Sequence, residues 1–480
     1  MAIRHYKVAL TAVGPLHIGN GDVYKSKDYF RLSDGRMGVL DARRFVGQLD
    51  PDEVEEYVRF LSAGSSYSLH DFLGEHRGLA GRASKCVAYE VDMTLSRARR
   101  GSYQYYDVLQ FVKDAYGCPY VPGSSVKGML RTALLTYIIM RDRPTYAALY
   151  DSETAQGKGG GSACRSIERR AFWQERPDAQ DGRTANDIMR YVSVSDSTPL
   201  ATRDLVFAKK YDRFAKADSG RHKRAMGSIS RDDPSYFEGN ALNIYRECLK
   251  PGTHVELDLD VDERIDAYLG GLSLDREGIA SVLGASYALY KHCFLDCFDL
   301  EGASGARGAG LGGTTGSDDG ICQYVIQSGP LAGRRCRNRA VDGTCFCNTH
   351  RGQAVPTNKK TTCYLGGGVD FDSKTVANAL FEDDGERVLE ISRILYAQFP
   401  SRLDPSIYGW LEDEIRDAGF DPGRMHAQRW GNGRLKKAKD DHRHWKDAEL
   451  GVSPHTLKLG IIGNEKHPMG KCTIEIQEAG

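Results

Sequence analysis

The sequence predicts an α+β fold, and three observations lead to this class. Tyr6, Val8 and Leu10 alternate with polar residues, which is the period of a strand with one exposed face. Residues 30–40 have the pattern of a hairpin that turns at an Asp-Gly pair. Apolar residues recur at helical spacing over 124–138, so a helix can pack on these strands. This order is typical of the ferredoxin-like βαββαβ unit, and we predict two such units with a small zinc-binding insertion in the second.

The length of 480 residues is enough for two or three domains with cores of their own. We predict an N-terminal ferredoxin-like domain over residues 1–150, followed by a linker and helical segment over 151–185. Residues 186–300 and 360–480 together form the predicted C-terminal domain. Residues 301–359 begin with a stretch rich in Gly, Ser and Ala, which predicts a linker, and we predict a zinc-knuckle insertion after it.

Composition and charge exclude few classes of partner. Lys+Arg and Asp+Glu each number 65, so net charge gives no indication of nucleic acid, although a balanced total can include a basic groove. The sequence begins directly with a strand-like pattern, and its apolar runs are too short to span a bilayer. Twelve cysteines without an export signal are expected to be reduced thiols or metal ligands. We expect a cytoplasmic protein with no membrane partner.

A phosphate-binding site is predicted at the start of the helix that follows Pro122-Gly123. Ser124 is a good N-cap residue, and a helix N-terminus offers free N–H groups and a partial positive charge. Lys127 and Arg131 stand four residues apart on one face, within the first two turns. The alternative is an amphipathic core helix whose two cations are only solvated.

This segment is not a Walker loop, which requires Gly-x4-Gly-Lys followed by Ser or Thr. Gly123 and Gly128 have the right spacing, but Met129 and Leu130 follow them. The lysine that reaches phosphate and the hydroxyl that binds Mg²⁺ are therefore both missing. We exclude a nucleotide hydrolase.

A structural zinc site is the best-defined chemistry in the sequence. Cys322, Cys336, Cys347 and His350 supply three thiolates and an imidazole, which is a ligand set of tetrahedral zinc. Cys345 could replace Cys347, although the Cys-x2-His spacing favours Cys347. The segment has too few apolar residues to fold unaided, so the metal would stabilise it. Four protein ligands leave no open position for catalysis, and the alternative is a set of surface thiols in an insertion.

A resemblance to a known family adds to these patterns. The segment Pro-Gly-Ser-Ser-Val-Lys-Gly-Met-Leu-Arg-Thr-Ala at residues 122–133 resembles a motif of the RAMP superfamily of CRISPR RNA-binding proteins. Further stretches resemble the fifth Csm subunit of type III-A effector complexes in particular, and they occur in the same order along the chain. These stretches are residues 14–21, 244–253, 364–368 with 373–375, and 470–472.

The resemblance implies which residues contact RNA. Sequence specificity would come from base pairing, so the protein is expected to contact phosphates and 2′-hydroxyls. Glycine-rich loops allow the backbone to come close to another chain. The implied residues are His17, Gly19, Asn20, Ser124, Ser125, Lys127, Arg131, Gly366, Gly367, Gly368 and Lys374.

The resemblance also implies a function in antiviral defence. We expect a non-catalytic crRNA-binding subunit of a type III-A complex, which caps the crRNA 3′ end and supports crRNA maturation. Its expected partners are crRNA, the repeated Csm backbone subunit and the small-subunit filament, with target RNA and a maturation nuclease as further candidates.

Two alternatives remain open from the sequence. One is a metal-independent RAMP endoribonuclease with His17 as general acid or base, although a packed or hydrogen-bonded loop histidine is the simpler interpretation. The other is a zinc-dependent adaptor that recruits a separate nuclease.

Overall fold

The computed structural model describes residues 2–64, 67–95, 104–157, 159–173, 186–215, 237–298, 360–398 and 452–479. These ranges contain fourteen strands and ten α-helices. The strands are β1 (Ile3–Ala12), β2 (Gly19–Tyr24), β3 (Tyr29–Arg31), β4 (Met37–Leu40), β5 (Val87–Met93), β6 (Val108–Phe111), β7 (Val192–Val194), β8 (Leu205–Ala215), β9 (Phe237–Leu249), β10 (His254–Asp262), β11 (Lys360–Tyr364), β12 (Thr456–Ile462), β13 (Glu465–Pro468) and β14 (Lys471–Glu478).

The helices differ widely in length, and the two longest lie next to the candidate site. They are α1 (Ala42–Val46), α2 (Pro51–Ser62), α3 (Leu69–Glu75), α4 (Arg77–Lys85), α5 (Gly123–Arg141), α6 (Arg143–Ala155), α7 (Gly160–Phe172), α8 (Arg276–Cys293), α9 (Ala377–Leu380) and α10 (Asp384–Gln398). Helices and sheets together confirm the predicted α+β class.

One antiparallel sheet has five strands in the order β11-β14-β1-β10-β7. Its central strand is β1, in which Leu10 pairs with Val255 on one side and with Ile474 on the other. Tyr6, Val8 and Leu10 are buried, as the two-residue period predicts. The first strand of the chain is therefore fixed by strands from much later in the sequence.

A second sheet contains nine strands. Seven of them follow the order β2-β6-β9-β8-β5-β4-β3, and β12 joins at β8 and carries β13. The predicted hairpin is confirmed, because β3 and β4 pair antiparallel and Gly35 turns between them with a φ of +92°. Two pairs in this sheet, β5 with β8 and β6 with β9, are parallel.

The main hydrophobic core lies between the five-stranded sheet and helices α5 and α8. Val126, Leu130, Ala133 and Leu134 of α5 are buried there, together with the inner faces of β1 and β10. A smaller core holds α1 to α4 against β3 and β4, with Phe45, Phe60 and Phe72 at its centre. The long helix predicted around residue 130 is therefore a core element, and its first three turns also line a cavity.

The start of α5 differs from the prediction. Pro122 is the N-cap residue, whereas Ser124 lies within the first turn. The Oδ1 atom of Asp196 accepts a hydrogen bond of 2.8 Å from the Gly123 N–H, so a distant carboxylate, and not Ser124, satisfies the first N–H of the helix. A Cβ atom at Gly123 would lie 2.2 Å from the Val194 carbonyl oxygen, so only glycine allows this contact with β7.

The segment predicted as a linker and helical segment, residues 151–185, contains the last turn of α6 and the whole of α7, which packs against α6. A Cβ atom at Gly160, the first residue of α7, would lie 2.7 Å from Cγ1 of Ile394 and from the Tyr150 hydroxyl. Gly160 therefore serves close packing. The predicted domain boundaries stay a prediction, and β1 pairs on both sides with strands assigned to the C-terminal domain.

No helix in the described ranges is long and apolar enough to cross a membrane. The predicted zinc insertion over 301–359 lies outside the described residues. Among the residues that are described, no group of three or more His, Cys, Asp and Glu side chains is placed to hold a metal ion.

Gly123→Ala should destabilise the protein, because its methyl group must push α5 away from the backbone of β7. We expect the free energy of unfolding to fall by about 1–3 kcal/mol, as for other overpacked sites. The matched control is Gly128→Ala on the same helix, where a Cβ atom meets nothing within 4 Å. That change should stabilise the helix by about 0.5–1 kcal/mol. Denaturant unfolding measures both, and equal shifts of the same sign would contradict the packing argument.

Candidate nucleic-acid interface

A cavity of about 510 Å³ opens between the first turns of α5, the middle of α8 and the segment that follows β11. We call it the α5–α8 groove. It brings together Ser124 and Ser125, Gly366 and Gly367, and Lys374, which belong to two distant parts of the sequence. Gly19, at the start of β2, lies on the same lining. Six of the residues predicted to contact RNA therefore share one groove.

The glycine loop at 366–368 is held against the segment that precedes β2. The Gly367 N–H donates a hydrogen bond of 2.7 Å to the His17 carbonyl oxygen. Gly366 has a φ of +87°, and a Cβ atom there would lie 2.2 Å from the same oxygen. Both the left-handed backbone and the close approach require glycine at 366. Gly366 and Gly367 therefore contribute backbone atoms, and no side chain of their own, to the groove.

Lys374 supplies the positive charge of the groove. Its ammonium donates a hydrogen bond of 2.8 Å to the Gly366 carbonyl oxygen, which joins the lysine to the glycine loop. No other charged side chain lines the groove within the part of the chain that the structure describes. Burial lowers the pKa of Lys374, because the surrounding walls remove water from the ammonium. An anion bound beside it would favour the charged form.

The first turn of α5 offers the groove serine hydroxyls, whereas part of its backbone N–H groups is already hydrogen-bonded within the protein. The Gly123 N–H donates to Asp196 and the Ser125 N–H donates to the Pro122 carbonyl at 3.0 Å, so two donors of the turn are already satisfied. Asp196 also places a negative charge at the positive end of the helix. Ser124 is exposed on the groove and can donate its hydroxyl to a phosphate oxygen.

Arg131 is not brought into the groove. Its guanidinium donates to Glu168 at 2.9 Å and to Asp187 at 2.7 Å, and it lies 4.1 Å above the ring of Phe172. These contacts tie α5 to α7 and to the segment before β7. Because two carboxylates neutralise the guanidinium, Arg131 attracts RNA phosphate only weakly. The structure therefore assigns Arg131 a stabilising role, which the spacing in the sequence did not reveal.

Lys127, Asn20 and Gly368 also lie off the lining. Lys127 is half-buried on α5 and makes no ion pair within the described ranges. The Asn20 side chain bonds Asp22, with Nδ2 donating at 3.0 Å and Oδ1 accepting from the Asp22 N–H at 2.9 Å. At Gly368, a Cβ atom would lie 3.1 Å from Nε of Arg246, so this glycine packs on a side chain that sequence reasoning did not single out.

His17 lies behind the glycine loop and is only 5% exposed. Its Nδ1–H donates a hydrogen bond of 2.7 Å to the Glu247 carbonyl oxygen, which leaves Nε2 as an acceptor. Burial lowers the pKa of His17 to about 4, so the ring is neutral at physiological pH. The geometry is that of the packed, hydrogen-bonded histidine considered as the simpler interpretation.

Sequence reasoning missed the aromatic wall of the groove. Tyr287 and Tyr290 of α8 and Tyr364 at the end of β11 all line it. The ring centroids of Tyr290 and Tyr364 are 5.0 Å apart at 76°, and those of Tyr287 and Tyr364 are 6.5 Å apart at 20°. The three-residue spacing on α8 and the position of Tyr364 beside the glycine loop were the available signals.

The comparison with protein families decides which family this fold and groove represent. The RAMP superfamily model matches residues 9–282, which is more than half of the chain and includes the first turns of α5 and the start of α8. The chain belongs to the RAMP superfamily. The membership that the motif at the start of α5 predicted is thereby confirmed.

Relatives of this RAMP protein include Csm5 proteins. It is 25% identical over 331 residues to the CRISPR system Cms protein Csm5 of Mycobacterium tuberculosis, which covers 65% of this chain and 82% of the relative. It is 24% identical over 261 residues to the protein of the same name from Streptococcus thermophilus, covering 53% of this chain and 64% of the relative. The predicted resemblance to the fifth Csm subunit is confirmed as a similarity in sequence.

A solved structure shows the same fold. One chain of a cryo-EM structure of a Csm–crRNA–target RNA ternary complex from a type III-A CRISPR-Cas system matches with a TM-score of 0.53. The match covers 98% of this RAMP protein and 100% of that chain at 16% identity. At this identity the likeness concerns the path of the backbone.

The buried neutral state of His17 should make stability depend on pH. Because its pKa in the folded state is about 4, below the ordinary 6.5, the unfolded chain binds the proton more tightly. His17 therefore stabilises the fold above pH 6.5, and this contribution is lost as the pH falls from 6.5 towards 4, by at most about 1.4 kcal/mol per pH unit. Denaturant unfolding across this range measures it, with His17→Asn as the control that keeps a donor but cannot titrate. A His17 imidazole that titrates near pH 6.5 by NMR would contradict the assignment.

Proposed function

We propose that this RAMP protein is a non-catalytic, RNA-binding subunit of a type III-A CRISPR effector complex, and that it holds guide RNA in the α5–α8 groove. The observation that carries the proposal is the meeting of Ser124, the glycine loop and Lys374 in one groove. Hydroxyls, bare backbone and one ammonium suit the phosphates and 2′-hydroxyls of RNA, which are the same in every sequence.

The similarity to Csm5 proteins supports finer proposals about the assembly. We propose that the chain caps the crRNA 3′ end, supports crRNA maturation, and abuts the repeated Csm backbone subunit and the small-subunit filament. Target RNA and a maturation nuclease are further partners, and the complex would act in the cytoplasm. The chain would carry two ferredoxin-like units, the second interrupted by a zinc knuckle.

A binding role fits the geometry better than the endoribonuclease alternative. A general base must reach the proton that it removes, and it works best with a pKa near the working pH. His17 is buried behind the glycine loop, bonds a carbonyl and has a pKa of about 4. Incubating repeat RNA with the purified protein in EDTA tests the alternative, and cleavage that His17→Asn abolishes would support an enzyme.

Lys374→Ala should weaken the binding of single-stranded RNA without unfolding the protein, because Lys374 packs at the surface of the groove. We expect the binding free energy to weaken by about 1.5–3 kcal/mol, the usual range for a hydrogen bond to a charged group. The slope of log affinity against log salt should become shallower by about 0.7 for each phosphate that the variant no longer neutralises. Lys85→Ala, at an exposed lysine on α4 outside the groove, is the matched control and should bind as the wild type does.

The same titration separates the two sequence predictions about α5. If Lys127 also contacts phosphate, Lys127→Ala should lower the affinity and the salt slope as Lys374→Ala does. Arg131→Ala should instead lower the melting temperature, since it removes the ion pairs to Glu168 and Asp187. RNA binding by Lys374→Ala that equals the Lys85→Ala control would overturn the placement of guide RNA in the groove.

The zinc knuckle predicts one zinc ion per chain, held by Cys322, Cys336, Cys347 and His350. Cys336→Ser should lose the metal, whereas Cys345→Ser should keep it, because Cys345 is the spare thiol. Elemental analysis of the three purified proteins measures this. Full zinc content in Cys336→Ser, or loss in Cys345→Ser, would contradict the ligand assignment.

A further inference from the structure

We propose that the aromatic end of the α5–α8 groove is a pocket for one unstacked nucleobase of the bound RNA, with Tyr287 as its stacking surface. This inference rests on the proposed RNA-binding function. It adds a contact to a nucleobase, so that RNA with bases binds more tightly than a backbone without them. Contacts to phosphate and 2′-hydroxyl alone would hold an RNA backbone equally well with or without its bases.

The tyrosines form a fixed wall. Tyr290 is buried, and its hydroxyl donates a hydrogen bond of 3.2 Å to Oδ2 of Asp370, which follows the glycine loop. The ring of Tyr364 packs edge-on against Tyr290. The Tyr287 ring lies within 20° of parallel to Tyr364 and is partly exposed on the groove. An aromatic face held in place by its neighbours loses little freedom when a base stacks on it.

The remaining walls of this end are mainly apolar and suit the flat face of a base, with the Ser286 hydroxyl as a polar group among them. Met129 and Ala133 of α5 line the groove together with Leu283 of α8. Thr132 also lines it, but its hydroxyl donates to the Gly128 carbonyl at 3.1 Å and is not available as a donor. Stacking and apolar contact accept every base, whereas fixed hydrogen-bond donors would select among them. The pocket therefore suits a guide whose sequence changes.

The charged group and the aromatic rings of the groove lie apart, as the phosphate and the base of a nucleotide do. Lys374 would face the phosphate, and the tyrosines would face the base. Lys374 bonds the Gly366 carbonyl, and Gly366 is two residues from Tyr364. Two residues span at most about 7 Å of chain. The volume of about 510 Å³ falls within the usual range for small-molecule pockets, about 300–1,000 Å³. A nucleotide with its phosphate at Lys374 would thus have its base near Tyr364, and the Tyr287 ring centroid lies 6.5 Å from that of Tyr364.

The test compares a ten-nucleotide oligoadenylate with a ribose-phosphate oligomer of the same length that carries no bases. Wild-type protein should bind the oligoadenylate roughly 5- to 150-fold more tightly, which corresponds to one stacked base. Tyr287→Ala should lose most of this preference, and Tyr287→Phe should keep it because the ring is retained. Tyr116→Ala, at a tyrosine that is 92% exposed and off the groove lining, is the matched control and should behave as the wild type.

A second variant keeps the test decisive if Tyr287→Ala unfolds. Ser286→Leu fills the same end of the groove from α8 without adding an aromatic face, and it should abolish the preference for bases while the abasic oligomer still binds. Equal affinity of wild-type protein for the two oligomers would overturn the base pocket and leave the proposed RNA binding intact. Failure to bind either oligomer would instead overturn the proposed function itself.

Discussion

The hydrogen bonds of the buried residue Glu247 are the interactions on which the position of the groove's glycine loop depends. Glu247 is 0% exposed, and its carboxylate accepts hydrogen bonds from the Phe111 N–H, the Tyr89 hydroxyl and the Lys113 ammonium. These donors come from β6, β5 and the segment after β6, so one charge joins three parts of the nine-stranded sheet. Removing one partner of a buried ion pair typically costs about 3–5 kcal/mol, since the other charge stays buried and uncompensated. The Glu247 carbonyl also accepts the Nδ1–H of His17.

This network reaches the groove through His17. The imidazole is fixed by the Glu247 carbonyl, and the carbonyl of His17 itself accepts the Gly367 N–H. Lys374 then bonds the Gly366 carbonyl. The chain of contacts runs from a buried charge through a neutral histidine to a bare backbone loop and finally to the one ammonium on the described lining. Most of these links involve backbone atoms, so the loop has a defined geometry before any ligand binds, which lowers the entropic cost of binding.

Patterns within a short stretch of sequence predicted the features that depend on neighbouring residues, and they missed the contacts made by residues far along the chain. The alternation of Tyr6, Val8 and Leu10 places β1 correctly, because a period of two residues is sufficient to specify a half-buried strand. Sequence reasoning was wrong about the helix cap because Asp196, a residue far along the chain, satisfies the Gly123 N–H. Arg131 shows the same limit, since its spacing from Lys127 says nothing about Glu168 and Asp187. The groove residues were predicted through motifs, whereas the tyrosine wall depends on how α8 packs beside β11.

The net charge of zero says little about binding to RNA, because it also counts charges that are paired within the fold. Arg131 and Lys113 are two such paired cations. Both pair with carboxylates, and the fields of the paired charges largely cancel at a distance. Lys374 differs, since its partner is a carbonyl and it pairs with no carboxylate in the described ranges. Partial burial of its ammonium lowers the pKa of Lys374, although the residue as a whole is exposed. A phosphate beside Lys374 would favour the charged form, so this lysine is the cation on the described lining that can attract an anion.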